Sequence, residues 1–308
     1  MSIPETEPID RVPGDPELSR WRAAARRHQS RYRQVRGWPA GSQRTRDGGA
    51  RPIGSRVEES FARETGCNFL SPSALRAVEH RLARPERHQM LDERRLWSDL
   101  LSSMPLCFNL LGPLWDDAAT ARDVARAWFP QLVGHMDEVT VRLEWSPGRA
   151  DTRWTGDRSA FDGALIVNDG QCVIGIETKY HEKAERRKAT GPPPPRYVEI
   201  SEHASLFNDP GALATVWGSS IEQIWRDHLL ALACAQNRPG SVGHYALVSP
   251  AGNPAWPRLA DQYRSLLTAE AADTFSFHTL ESLLEVAGSS HPSAGAFNER
   301  YLDVDLRG

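Results

Sequence analysis

Twenty consecutive residues, F-D-G-A-L-I-V-N-D-G-Q-C-V-I-G-I-E-T-K-Y from Phe161 to Tyr180, constrain this chain more than any other stretch. Two apolar runs, ALIV and CVIGI, flank Asn168-Asp169-Gly170, a turn signal that predicts a β-hairpin. Both runs are continuously apolar, so the hairpin is expected in the buried centre of a sheet. Side chains on a strand alternate between faces, so Glu177 and Lys179 project together while Ile174, Ile176, Thr178 and Tyr180 point the other way. Asp162, 15 positions before Glu177, opens the first strand, and the turn folds it back beside Glu177.

An unpaired acid inside such a hairpin is costly. An exposed cross-strand ion pair would be the plain structural reading, but the apolar flanks favour a built site. Asp162, Glu177 and the backbone carbonyl of Thr178 offer oxygen ligands for Mg²⁺, with Mn²⁺ as a substitute. Such a cation acidifies bound water and neutralises charge growing on a phosphate, and Lys179 can orient or deprotonate that water. This is equipment for phosphodiester hydrolysis. The Glu-x-Lys spacing is weak by itself, yet the chain holds only three lysines, Lys179, Lys183 and Lys188, which makes its chance occurrence here uncommon.

Around the hairpin, periodicity predicts helices over 56–65, 73–84 and 118–129. A longer helix over 86–104 places Glu93 on the same side as Leu96, Trp97, Leu100, Leu101 and Met104. Val139, Val141, Leu143 and Trp145 alternate with Thr140, Arg142 and Glu144 as a strand. The tract 189–197, ATGPPPPRY, reads as an exposed polyproline loop. A helix over 220–236, capped by Ser219 or Ser220, turns Ile221, Ile224, Trp225, Leu229 and Leu232 inward. A strand at 244–249, a helix near 257–269, a strand at 274–277 and a helix at 279–287 follow. Strands followed by helices predict an α/β fold with a mixed central sheet flanked by helices.

The 308 residues are 40% apolar and 25% charged, with mean hydropathy -0.52, an ordinary soluble composition. No run approaches the ~18 apolar residues of a membrane span and the N-terminus lacks an apolar signal core, so a cytoplasmic location without membrane contact is expected. The formal net charge of -3 hides a regional skew: residues 18–57 hold 11 arginines against one acid, Asp47. Residues 1–55 therefore read as an Arg-rich arm. It comprises a disordered stretch over 1–17, a basic helix to about Val35 and a flexible Gly/Ser/Arg connector, ahead of a body over 56–308. The arm either contacts phosphates, with aromatic rings available for stacking, or packs on the body through Trp21, Tyr32 and Trp38. Four dispersed cysteines read as buried thiols. The histidines lack zinc-ligand spacing, and P-loop and GxSxG motifs are absent from the sequence. His181 and Glu182 are candidate DNA contacts or part of a solvated charge run, and Arg226 and His228 are candidate phosphate ligands.

Asp162, Glu177 and Lys179, in this order on paired strands, resemble the signature of the PD-(D/E)XK nuclease superfamily, the restriction endonuclease-like fold. The resemblance covers about residues 85–250 and departs from the name-giving motif in Phe161, which stands where proline is named. It extends to DERRLWSDLLSSMPLCFNLLGPL (92–114), similar to the N-terminal helix and following segment of a bacterial branch. The resemblance implies a metal-dependent nuclease, most simply an endonuclease acting on DNA. It also implies a metal-side acid on a preceding helix, matched by Glu93, and a glutamine on the helix after the core strands, matched by Gln223, which would hold Lys179 or a phosphate. Alternatives on the same fold are a non-cleaving nucleic-acid-binding or assembly module and an RNA-directed nuclease. A dead copy has no chemical reason to keep Asp162, Glu177 and Lys179 together, which argues against the former. A homo-oligomer or a protein partner is compatible with either.

Overall fold

The computed structural model describes residues 19–45, 47–132, 136–184, 186, 190–288, 291 and 293–306; the expectation for residues 1–17 falls outside them. In chain order the elements are α1 (Arg20–Val35), β1 (Ala40–Arg44), β2 (Ala50–Val57), α2 (Glu59–Thr65), α3 (Pro72–Leu82), α4 (Glu93–Ser98), α5 (Ser103–Asp116) and α6 (Ala118–Trp128). Then come β3 (Val139–Trp145), β4 (Phe161–Val167), β5 (Cys172–Thr178), α7 (Pro195–His203), α8 (Ala212–Val216), α9 (Glu222–Gln236) and β6 (Val242–Ser249). The chain closes with α10 (Ala255–Arg264), α11 (Ala269–Ala272), β7 (Phe275–Thr279), α12 (Leu280–Ala287) and α13 (Ala294–Phe297).

The expected hairpin forms. β4 and β5 pair antiparallel from Val167↔Cys172 to Gly163↔Ile176, turned by Asn168, Asp169 and Gly170, all at positive φ. This hairpin lies inside a five-stranded mixed sheet ordered β3-β4-β5-β6-β7. β3 joins it antiparallel, while β6 and β7 run parallel to β5 and to each other. The sheet separates two apolar cores. Leu165, Ile174, Ile176 and Val248 face one that includes α5, α6 and α12; Ala164, Tyr245, Leu247 and Phe275 face the other, filled by α9 and α10. Strands covered on both sides need no polar alternation.

Three sequence expectations are corrected. The helix expected over 86–104 is broken: α4 ends at Ser98, Asp99 turns to an extended conformation, and α5 restarts behind its N-cap Ser102. Between them the chain trades helical bonds for a bridge to β2, with Leu100 N donating to Ser55 O and Arg56 bound to Asp99 at 3.1 Å. The connector expected to be flexible is the β1–β2 hairpin, and Arg56 and Val57, expected helical, belong to its second strand. The polyproline loop ends sooner, because Pro195 at the first helical position starts α7 and Tyr197 is buried; proline is tolerated there.

Helix α1 packs on the body. Trp21, Ala25 and Tyr32 recur at helical spacing and are at most 6% exposed. Trp21 joins the same core as α5 and the hairpin, with its Nε1 donating to Tyr180 O at 3.2 Å. Gln29 is buried beneath them, donating to the Tyr180 hydroxyl at 3.0 Å and Arg300 O at 2.6 Å. Packing therefore continues across residue 55 without a break.

Candidate active site

The ends of three strands place the carboxylates. Glu144 and Asp162 stand opposite one another between the pairs Leu143↔Gly163 and Trp145↔Phe161. One step beyond Gly163↔Ile176, Asp162 faces Glu177. The result is a row of acids, Glu144, Asp162 and Glu177, across β3, β4 and β5. Like charges so placed repel.

Each acid is fixed differently. Thr178 donates its backbone N–H and its hydroxyl to Asp162 Oδ2, at 2.8 and 2.7 Å. Cys107 Sγ, from α5, donates to the backbone oxygen of Asp162. Glu177 Oε1 accepts from Lys179 Nζ at 2.5 Å and from Gln223 Nε2 at 2.8 Å. Gln223 therefore holds the glutamate that holds the lysine, a different partner from the lysine or phosphate expected of it. Glu177 and Lys179 are 7% and 5% exposed, and Lys179 Nζ lies 5.3 Å from the centre of the Trp256 ring. Asp162 Oδ1 and Glu177 Oε2 have no hydrogen bond among the described residues.

The electrostatics follow from this crowding. Burial, then the Glu177 and Glu144 carboxylates, hold the Asp162 carboxyl well above the usual range. Burial pushes Glu144 to about 7, Arg149 opposing and Glu177 adding. Asp227, one helical turn after Gln223, is pushed to about 8 by burial and then by Glu177. Lys179 is raised although burial opposes it, because Glu177, Asp162 and Glu182 surround it. An excess of buried carboxylate facing one ammonium favours a further cation. Among the described residues no group of three His, Cys, Asp or Glu side chains forms a ready metal cage. Two carboxylates with unbonded oxygens instead suit a hard cation that keeps several of its waters, the habit of Mg²⁺.

The structure does not bring Glu93 to this group. In the first turn of α4 it is exposed and bonds Arg63 at 2.9 Å, because the break after Ser98 removes the continuous apolar face on which it was expected. His228 is also displaced from its candidate role. It is buried with Nδ1 at the Tyr263 hydroxyl and Nε2 at Thr274 Oγ1, and burial lowers its pKa to about 3. The expected Ser219 or Ser220 cap of α9 is replaced by Ile221, without a side-chain capping bond.

Sequence reasoning missed Glu144 and Asp227, and it gave Glu182 a different role. Glu144 was assigned with Thr140 and Arg142 to the polar side of β3, yet its φ of 49° turns it inward and leaves it 9% exposed. Asp227 follows Gln223 at i+4, a spacing that puts both on one helix face and would have revealed it. Glu182 is no part of a solvated run. It accepts from Tyr180 N at 2.8 Å and from Ser103 N at 2.7 Å, at the start of α5.

The fold is an α/β domain whose mixed sheet carries Asp162 on β4 and Glu177 on β5, with Lys179 one residue past the end of β5. A family model of the PD-(D/E)XK nuclease superfamily matches residues 16–303, and the chain belongs to that superfamily. Searches of curated proteins and of solved structures gave no significant match. No helix among the described residues is long and apolar enough to cross a membrane.

Proposed function

We propose that this protein is a divalent-metal-dependent nuclease that hydrolyses phosphodiester bonds in DNA, acting as an endonuclease. The observation that carries this reading is the convergence of Lys179 and Gln223 on one oxygen of Glu177, beside an Asp162 pinned by Thr178. Asp162, Glu177 and the carbonyl of Thr178 would hold Mg²⁺ or Mn²⁺; when bound, the cation supplies charge neutralisation at the phosphate and acidifies water in its shell. Lys179 orients the attacking water and donates to oxygen as negative charge develops. Gln223 keeps Glu177, and through it Lys179, in one rotamer. Trp256 and the buried flanks exclude bulk water, which strengthens each of these interactions.

Purified protein with supercoiled plasmid and Mg²⁺ tests the reading. Nicked and linear products should appear, vanish with a chelator, and be lost in Lys179→Ala. A Lys179→Ala variant that cleaves at the wild-type rate would overturn the assignment. Equal cleavage of an RNA substrate would shift the substrate class without moving the site.

A further inference from the structure

The arginines of the N-terminal segment have a definite place in the fold. Arg22 and Arg26 from α1, Arg56 from β2 and Arg95 from α4 line one cavity of about 320 Å³, whose wall includes His181 and Glu182. A second cavity, of about 410 Å³, shares Arg22 and Glu182 and adds Lys183 and Arg258. Among the described residues the two hold six cationic side chains against two carboxylates, Asp99 and Glu182, on a chain whose formal net charge is -3. Both carboxylates already have partners. Asp99 binds Arg56 at 3.1 Å, and Glu182 accepts two backbone N–H groups, with Arg95 3.8 Å away. Arg22 is fixed in the shared wall by donating to His181 O at 3.0 Å.

Resting on the nuclease reading, we infer that these adjoining cavities are a phosphate track, in which Arg22, Arg26, Arg56, Arg95, Lys183 and Arg258 receive the backbone of the nucleic-acid strand being cut. Two cavities that share a wall suit a polyanion better than a single small anion, and guanidinium groups suit phosphate oxygens. The wall residues His181, Glu182 and Lys183 stand two, three and four positions after Lys179, and Glu182, three residues on, lines both cavities. Three residues of chain span at most about 10 Å, and nucleotides rise about 3.4 Å each, so a strand in the track passes within about three nucleotides of the lysine. Concentrating positive potential in one cleft of an acidic protein also draws the substrate to the correct face.

The test is binding of a fluorescein-labelled duplex in EDTA, where cleavage plays no part, titrated at several salt concentrations. Replacing Arg22 and Arg95 together by glutamine should weaken binding at least tenfold at low salt and flatten the slope of log K against log salt by about 2, since each lost phosphate contact removes ~0.9. Arg142→Gln, exposed on β3 away from the track, should match wild type. If the double variant fails to fold, the exposed single changes Arg95→Gln and Arg258→Gln carry the test, each flattening the slope by ~0.9. A slope equal to that of Arg142→Gln would overturn the track. Wild-type protein with the predicted slopes but no Mg²⁺-dependent cleavage would leave the track standing and sink the nuclease reading; cleavage with unchanged slopes would do the reverse.

Discussion

Glu177 is the residue on which the site turns, since it bonds Lys179 and Gln223 through the same oxygen. Removing Gln223 frees Glu177 to rotate, and an ammonium placed even 1 Å wrongly loses much of its effect on the reacting oxygen. Gln223→Ala should therefore retain the fold and lower the cleavage rate roughly 10- to 100-fold, the usual size for partners that orient metal ligands. Metal affinity by calorimetry should weaken in parallel, and unchanged rate and affinity would show that Gln223 is only structural. Lys179→Ala differs, because it leaves buried carboxylates without their ammonium. Metal-free stability should drop by about 3 kcal/mol, and added Mg²⁺ should restore part of it. At this scale the sequence was informative about Asp162, Glu177, Lys179 and Gln223, whose positions follow from strand alternation and a family pattern. It was silent about Glu144, whose direction depends on a positive φ that no periodicity encodes.

Close contact between helix and strand decides how accurately the site is held. A Cβ built on Gly243 would lie 1.9 Å from Ala231 O, so β6 and the middle of α9 touch backbone to backbone. Gly243→Ala must push α9 from the sheet, with a cost of about 3 kcal/mol. Because α9 also carries Gln223, the variant should lose cleavage activity even below its melting temperature. Normal activity in a folded Gly243→Ala protein would show that the helix position is not critical. Helix α1 teaches the converse lesson. Its arginine count left open an arm that contacts phosphates or a helix packed on the body, and Trp21, Ala25 and Tyr32 bury one face. Truncation before residue 58 should therefore unfold the protein, and Trp21→Ala alone should cost about 3–5 kcal/mol.

Across the whole molecule two sets of buried groups oppose each other in pH. Burial lowers His228 to about 3, and His244 and His278 to about 4. These stay neutral when folded, so their contribution is fully present above about pH 6.5 and is lost as pH falls toward 4. Glu144 and Asp227, raised to about 7 and about 8, act in the opposite sense. Their contribution is fully present below about pH 4 and is lost as pH rises through 7 to 8. The metal-free protein should accordingly melt highest between about pH 6 and 7. Mg²⁺ should raise its melting temperature more at pH 8, where ionised carboxylates repel, than at pH 6, where protons compete. Equal shifts at both values would argue against cation binding among these acids.

The hairpin of residues 161–180 was determined by local sequence, because a turn signal between two apolar runs leaves the backbone few alternatives and alternation then sorts its side chains. The same local logic identified most flanking helices and strands. Tertiary structure decided what depends on distant partners. Ser55 and Arg56 on β2 break the helix that would have carried Glu93 inward, and Tyr180 and Arg300 draw α1 into the core. Periodicity records which face of a segment is apolar. Only packing selects the surface that covers it, and with it the acids that end inside.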